Sequence, residues 1–143
     1  EAITYYHPIM ETYLKETYGI IIYQEQMMLL SQAIANFTPE ESDLLARGVC
    51  CRRIAQVETT LQERFIRGGI KNGYAEELLK KIWFDWMTCG YYVFNKSHTV
   101  CYTWLAYKTA YLKAHYPEEF IQAYATVEDR DITNLEDHKK KVE

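Results

Sequence analysis

Phe94-Asn95-Lys96-Ser97-His98 sets an amide, a cation, a hydroxyl and an imidazole in consecutive positions after an aromatic ring. The apolar spacing beyond it predicts a long helix over about 97–115, with Ser97 or Asn95 as its cap. The first turn of such a helix carries unpaired N–H groups and about half a positive charge, which makes it a natural seat for an anion. Lys96 can neutralise a phosphate oxygen as a mobile point charge, while Asn95, Ser97 and His98 can donate hydrogen bonds. Tyr102, one turn beyond His98, brings a ring beside a phosphate held there, in a position to stack on a base. An ordinary capped helix with a solvated lysine has the same local pattern, so the residues alone leave both readings open. Trp104 on the same helix reads as a core residue.

A second cationic cluster is formed by Arg47, Arg52 and Arg53. Arginine forks suit bidentate phosphate contacts, but solvated arginines are also common. The charge distribution adds weight. Residues 44–71 and 91–116 together hold nine basic and two acidic residues, out of sixteen basic and twenty acidic in the chain. The net charge of −4 therefore conceals a segregation that fits one cationic face and an acidic exterior. Chance clustering on solvated helices gives the same count.

Other chemistries lack their patterns. Asp129 and Asp131 have the spacing of a metal-binding pair but sit in a charged tail, and read as solvated. No glycine-rich phosphate loop or Ser-His-Asp order is apparent. The four cysteines, Cys50, Cys51, Cys89 and Cys101, contain no CxxC pair, so free thiols in a reducing compartment are favoured over a zinc site. No apolar run reaches membrane-spanning length and no signal segment is present, so no membrane partner and a cytoplasmic location are expected. Beginning at Glu1 without an initiator Met, the chain reads as an excised or trimmed piece.

The elements that must position these residues read as all-α, a compact bundle of about six helices. The first ten residues read as an extended lead-in around Pro8, followed by a helical turn over 11–16 that stops at a Tyr18-Gly19 cap. Ile20 to Ile22 suits a short strand or a tight entry, and 23–35 has helical spacing. Thr38-Pro39-Glu40-Glu41 is a capping box with proline at the first helical position, and the helix it starts should break near Gly48. A helix over 54–70 follows, with Gly68-Gly69 blurring its end. Another over 75–87 carries Leu78, Leu79, Ile82, Trp83 and Trp86 on a buried face. Residues 90–95 read as an aromatic loop, and Pro117 restarts a helix through about 125. The organisation expected is a helical domain over 1–126 and a charged tail over 127–143, frayed or disordered.

Four stretches together resemble the bacterial DNA polymerase III alpha subunit of the C family. They are Tyr18-Gly-Ile-Ile-Ile-Tyr-Gln-Glu-Gln-Met27, Asp43-Leu-Leu, Phe94-Asn-Lys-Ser-His98, and Ala106-Tyr-Lys-Thr-Ala-Tyr-Leu-Lys-Ala-His-Tyr-Pro-Glu-Glu-Phe120, spanning about 7–126 in matching order. The resemblance implies the α-helical fingers domain. It implies that Asn95, Lys96, Ser97 and His98 face the incoming deoxynucleoside triphosphate or primer-template DNA, with Tyr102 near the nascent base pair. The basic segment from Arg47 to Arg52 would meet the triphosphate.

The resemblance also implies that the metal-binding aspartates, and the magnesium they hold, belong to a palm outside this chain, so no cofactor is expected here. The remaining polymerase domains are then its partners, and an excised piece would expose the surface that packed on them, with dimerisation as one outcome. The basic segment departs from the family pattern Leu-Leu-Arg-Arg-Ala-Met-Gly-Lys-Lys. Ala46 replaces an arginine, Cys50 the glycine and Cys51 a lysine, while Arg47 and Arg52 keep their charge; Lys108 replaces a more usual glutamine. A working nucleotide-binding surface, a non-catalytic helical remnant and a free-standing DNA-binding module are the three functions that this pattern allows.

Overall fold

A computed structural model describes residues 3–127, apart from the side chains of Cys89 and Tyr91. Among these residues the protein is all-α. The α-helices are α1 (Pro8–Leu14), α2 (Gln24–Ala35), α3 (Pro39–Cys50), α4 (Ile54–Val57), α5 (Glu63–Lys71), α6 (Glu76–Cys89), α7 (Lys96–His115) and α8 (Pro117–Val127). Short 3₁₀ turns occupy Lys15–Thr17 and Gly90–Tyr92, and a π turn at Glu58–Gln62 joins α4 to α5. The number exceeds the expected six because α1 forms where a lead-in was expected, and because the 54–70 helix is interrupted. No described helix is long and apolar enough to cross a membrane. The tail beyond residue 127, with Asp129 and Asp131, lies outside the described residues.

The chain divides into two compact units, with the boundary between Lys96 and Ser97. In the first, α2 is the central element and packs on α1, α3 and α5, while α5 packs on α6. Its core is aromatic at the centre. Phe65, fully buried, lies 5.0 Å from Trp86, 5.4 Å from Trp83 and 5.9 Å from Phe37, ring to ring. Met27, Leu30 and Ile34 from α2, Leu45 and Val49 from α3, and Leu79 and Ile82 from α6 complete it. The stripe read on 75–87 is thus the buried face of α6. Trp83 also buries its Nε1 without a hydrogen-bond partner, a cost that the packing around the ring must offset.

One start signal and one stop signal behave as read. Thr38 Oγ1 accepts from Glu41 N at 3.2 Å, and the Glu41 carboxylate accepts from Thr38 N at 2.9 Å, closing the capping box at α3. Tyr18 and Gly19 both take positive φ (56° and 87°), and Gly19 N donates to Leu14 O at 3.0 Å, ending the first helical segment. Pro8, by contrast, is the first residue of α1, where its missing N–H costs nothing, and His7 Nδ1 accepts from Ile9 N at 3.2 Å as the cap.

The helix that was expected to break near Gly48 runs on to Cys50, and the one expected to reach residue 70 through Gly68-Gly69 ends at Lys71. Gly48 lies inside α3, and Gly68 and Gly69 lie inside α5. A Cβ at Gly48 would sit 2.2 Å from Val57 Cγ2, and one at Gly68 would sit 2.3 Å from Ala35 O. They are points where neighbouring elements approach too closely for a side chain, which outweighs their helix cost of about 1 kcal/mol.

In the second unit, α7 buries none of its residues and α8 buries Ile121 and Ala125. Trp104, expected in a core, is exposed and stacks on Tyr107 with ring centroids 6.2 Å apart. The aromatic and apolar residues of α7 are spread around the helix and form no single stripe, so the sequence marks no one face of it for a core.

The aromatic centre sets the stability of the first unit. Phe65→Ala should lower the unfolding free energy by about 3–5 kcal/mol, read from urea denaturation, with the slope of the transition unchanged.

Candidate functional site

Three consecutive polar side chains at the start of α2 organise everything around the predicted anion seat. Gln26 is buried, and it uses its full hydrogen-bonding capacity. Its Oε1 accepts from Ile22 N at 2.9 Å and Tyr23 N at 3.0 Å, and its Nε2 donates to Thr17 Oγ1 at 2.8 Å and Tyr13 O at 3.1 Å. That fixes the extended backbone of 22–24 against α1. Phe94 then pairs with it as a single parallel bridge, Phe94 N donating to Ile22 O at 2.8 Å and Gln24 N to Phe94 O at 2.9 Å. Residues 20–22, read as a short strand or a tight entry, form no strand, and the bridge falls on Tyr23.

Glu25 continues the connection. Its two carboxylate oxygens accept from the backbone N–H of Lys96, the first residue of α7, at 3.1 and 3.0 Å. A carboxylate on the N–H of a first helical residue answers both an unpaired donor and the positive end of the helix. Gln24 completes the set: its Nε2 donates to Cys50 Sγ, at the end of α3, at 3.2 Å. One turn of α2 therefore gathers the end of the 47–52 segment and the segment entering α7.

The Lys96 side chain is not simply solvated. Its ammonium donates to both oxygens of Glu16, at 2.6 and 2.8 Å, and lies 5.3 Å from the centre of the Tyr23 ring. The hydrogen bond to Glu16 raises its pKa above the usual 10.5; desolvation opposes the shift, and the charges of Glu16, Tyr23 and Glu25 add to it. A raised lysine stabilises the fold fully below its ordinary pKa and loses that contribution only as pH rises through the raised value. The tie therefore holds across the neutral range.

The basic cluster after Thr38 divides by role. Arg47 is exposed and pairs with Asp43 one turn back along α3. Arg52 takes a left-handed backbone (φ 57°) in the turn after α3, its N–H donating to Val49 O at 3.0 Å. Arg64 is structural. It donates to Ala35 O at 3.0 Å, Asn36 O at 2.9 Å and the Glu41 carboxylate at 3.2 Å, and lies over Phe37, closing the end of α2. Arg67 pairs with Glu63 at 3.8 Å.

Two of the three altered positions in the basic segment have become part of the fold: Ala46 is buried, and Cys50 receives the Gln24 bond, whereas Cys51 is exposed. In the second unit, the His98 and Tyr102 rings are 4.4 Å apart and tilted by 42° on successive turns of α7. Among the described residues no group of three His, Cys, Asp or Glu side chains is arranged to hold a metal ion.

Sequence reasoning assigned no role to Glu16, Glu25 or Gln26. The available signal was three polar residues in succession at a helix start that must also bury its face.

The all-α fold thus holds the end of the 47–52 segment and the entry to α7 at one helix start. The family model of the bacterial DNA polymerase III alpha subunit finger domain matches residues 1–73, and the chain belongs to that family. It is 44% identical over 131 residues to the DNA polymerase III subunit alpha of Aquifex aeolicus, which covers 92% of this chain and 11% of the relative. The subunit of Halalkalibacterium halodurans is 44% identical over 126 residues, 88% of this chain and 11% of the relative. That of Thermus aquaticus is 39% identical over 138 residues, 96% of this chain. The chain spans 11% of the length of each of these relatives.

Removing the Glu25 carboxylate should loosen the start of α7. In Glu25→Ala, hydrogen exchange of the Lys96 amide is expected to rise about fivefold, the equivalent of a lost helix cap, while amides of the α5–α6 core keep their protection.

Proposed function

We propose that this chain binds the incoming deoxynucleoside triphosphate and primer-template DNA, as the finger region of a bacterial replicative DNA polymerase. One observation carries the reading: the start of α2 ties both candidate phosphate-binding segments, through Gln24 to Cys50 and through Glu25 to Lys96. Two segments separated by more than forty residues in the chain are thereby brought to one place. The relatives' name, DNA polymerase III subunit alpha, supplies the substrate class.

In this reading Lys96, with Asn95, Ser97 and His98 beside it in the chain, contacts the triphosphate or the primer-template. Tyr102 lies near the nascent base pair. Arg47 and Arg52 meet the triphosphate, Arg47 being held only by a pair with Asp43 that water competes for. The described residues offer no metal-holding cluster, and the proposal assigns the magnesium chemistry of bond formation to a palm in the longer protein. The chain then positions a substrate and forms no bond itself, and the other polymerase domains are its partners.

A second reading is a helical remnant that keeps the fold and has lost the ligand. The burial of Ala46 and the engagement of Cys50 favour it, because both replace residues of the family's basic segment with packing.

Titration of the chain with dATP and with primer-template DNA, at low and physiological salt, separates the two. Saturable binding, weakened about tenfold or more by Lys96→Ala and by Arg47→Ala and reduced by salt, is the expected result. A folded chain that fails to bind, when the matching segment of the Aquifex aeolicus subunit binds under the same conditions, establishes the remnant.

A further inference from the structure

Lys96 is the cation that the reading above assigns to phosphate, and its ammonium and its backbone N–H are both engaged within the protein. Glu16 holds its ammonium through both carboxylate oxygens, at 2.6 and 2.8 Å. Glu25 holds its backbone N–H in the same two-oxygen manner, at 3.1 and 3.0 Å. The two donors that a phosphate would use at this residue thus carry carboxylates, the protein's own closest chemical substitute for a phosphate oxygen pair.

The two carboxylates are not equivalent. Glu25 lies in the first turn of α2, is partly buried, and accepts a backbone bond that any helix start requires. Glu16 comes from the 3₁₀ turn after α1, 80 residues from Lys96, and meets it only through the two side chains. The Glu16 side chain is 51% exposed and that of Lys96 is 41% exposed. An ion pair so open to water is weak and exchanges readily. A triphosphate presents more charge and more acceptor oxygens than one carboxylate, so it wins the ammonium when it arrives. Released, the Glu16 carboxylate has water within reach and needs no other partner.

We propose that Glu16 is an internal competitor for the nucleotide, holding Lys96 while the site is empty and yielding it to the triphosphate. The inference rests on the reading that Lys96 contacts phosphate. The apparent affinity is then lowered by the fraction of time that Lys96 is occupied, and removing the competitor restores it.

The test is a double-mutant cycle on the full chain, with dATP and inorganic tripolyphosphate as probes at one fixed salt concentration. Glu16→Gln is expected to tighten binding about twofold to fivefold, the range of an exposed ion pair, and the gain should vanish in the Lys96→Ala background. Binding by Glu16→Gln where the unaltered chain shows none is the same result in stronger form. If Lys96→Ala weakens binding but Glu16→Gln leaves it unchanged or weaker, the competitor is overturned and the nucleotide reading stands. An equal gain from Glu16→Gln in both backgrounds also overturns it, since general repulsion of the anion is then the cause. If Lys96→Ala changes nothing, or no variant binds, both the competitor and the phosphate role of Lys96 fall.

Discussion

The first unit depends on one buried amide. Gln26 spends two donors and two acceptor positions on four partners drawn from α1, the turn after it and the extended residues before α2. A glutamine so placed has no spare capacity and no access to water, so each partner depends on it and it depends on each. Loss of its side chain would leave two backbone N–H groups, a carbonyl and the Thr17 hydroxyl to be answered in an apolar setting. Such groups are individually expensive and collectively cooperative. Because the bridge to Phe94 is built on the backbone that Gln26 holds, the entrance to α7 inherits its position from this amide.

The chemistry around Lys96 shows how a cation at a helix start is neutralised within the fold. An isolated cluster of positive charge at a helix start is unfavourable. Here two acids from different elements neutralise it, one through the backbone and one through the side chain. The arrangement divides the tasks. The partly buried acid sets geometry, and the exposed acid balances charge.

Much of the fold was legible in the sequence, because local rules and the tertiary structure agree there. The capping box at Thr38 and the apolar face of α6 follow from residue type and spacing, and both are present as read. The failures came where a local rule competed with packing. Gly48 was read as the point near which its helix breaks, and Gly68-Gly69 as blurring a helix end, yet all three are close approaches between neighbouring elements, a property of pairs of segments that no single segment encodes. The candidate site could be read only as a set of residue types at Phe94 to His98 and at Arg47 to Arg52. What could not be read was that their partners would be Glu16, Glu25 and Gln24. Acids and amides far away in sequence carry no local mark of the contact they will make.

The distribution of the three tryptophans has a practical consequence. Trp83 and Trp86 lie in the aromatic centre of the first unit, at 1% and 2% exposure, whereas Trp104 is 58% exposed on α7 in the second. The chain therefore carries two built-in optical reporters. Emission from the buried pair belongs at shorter wavelength and follows the integrity of the core. Emission from Trp104 belongs at longer wavelength, is open to collisional quenchers, and follows the surroundings of α7. A single unlabelled sample can thus distinguish an event on the long helix from one in the bundle.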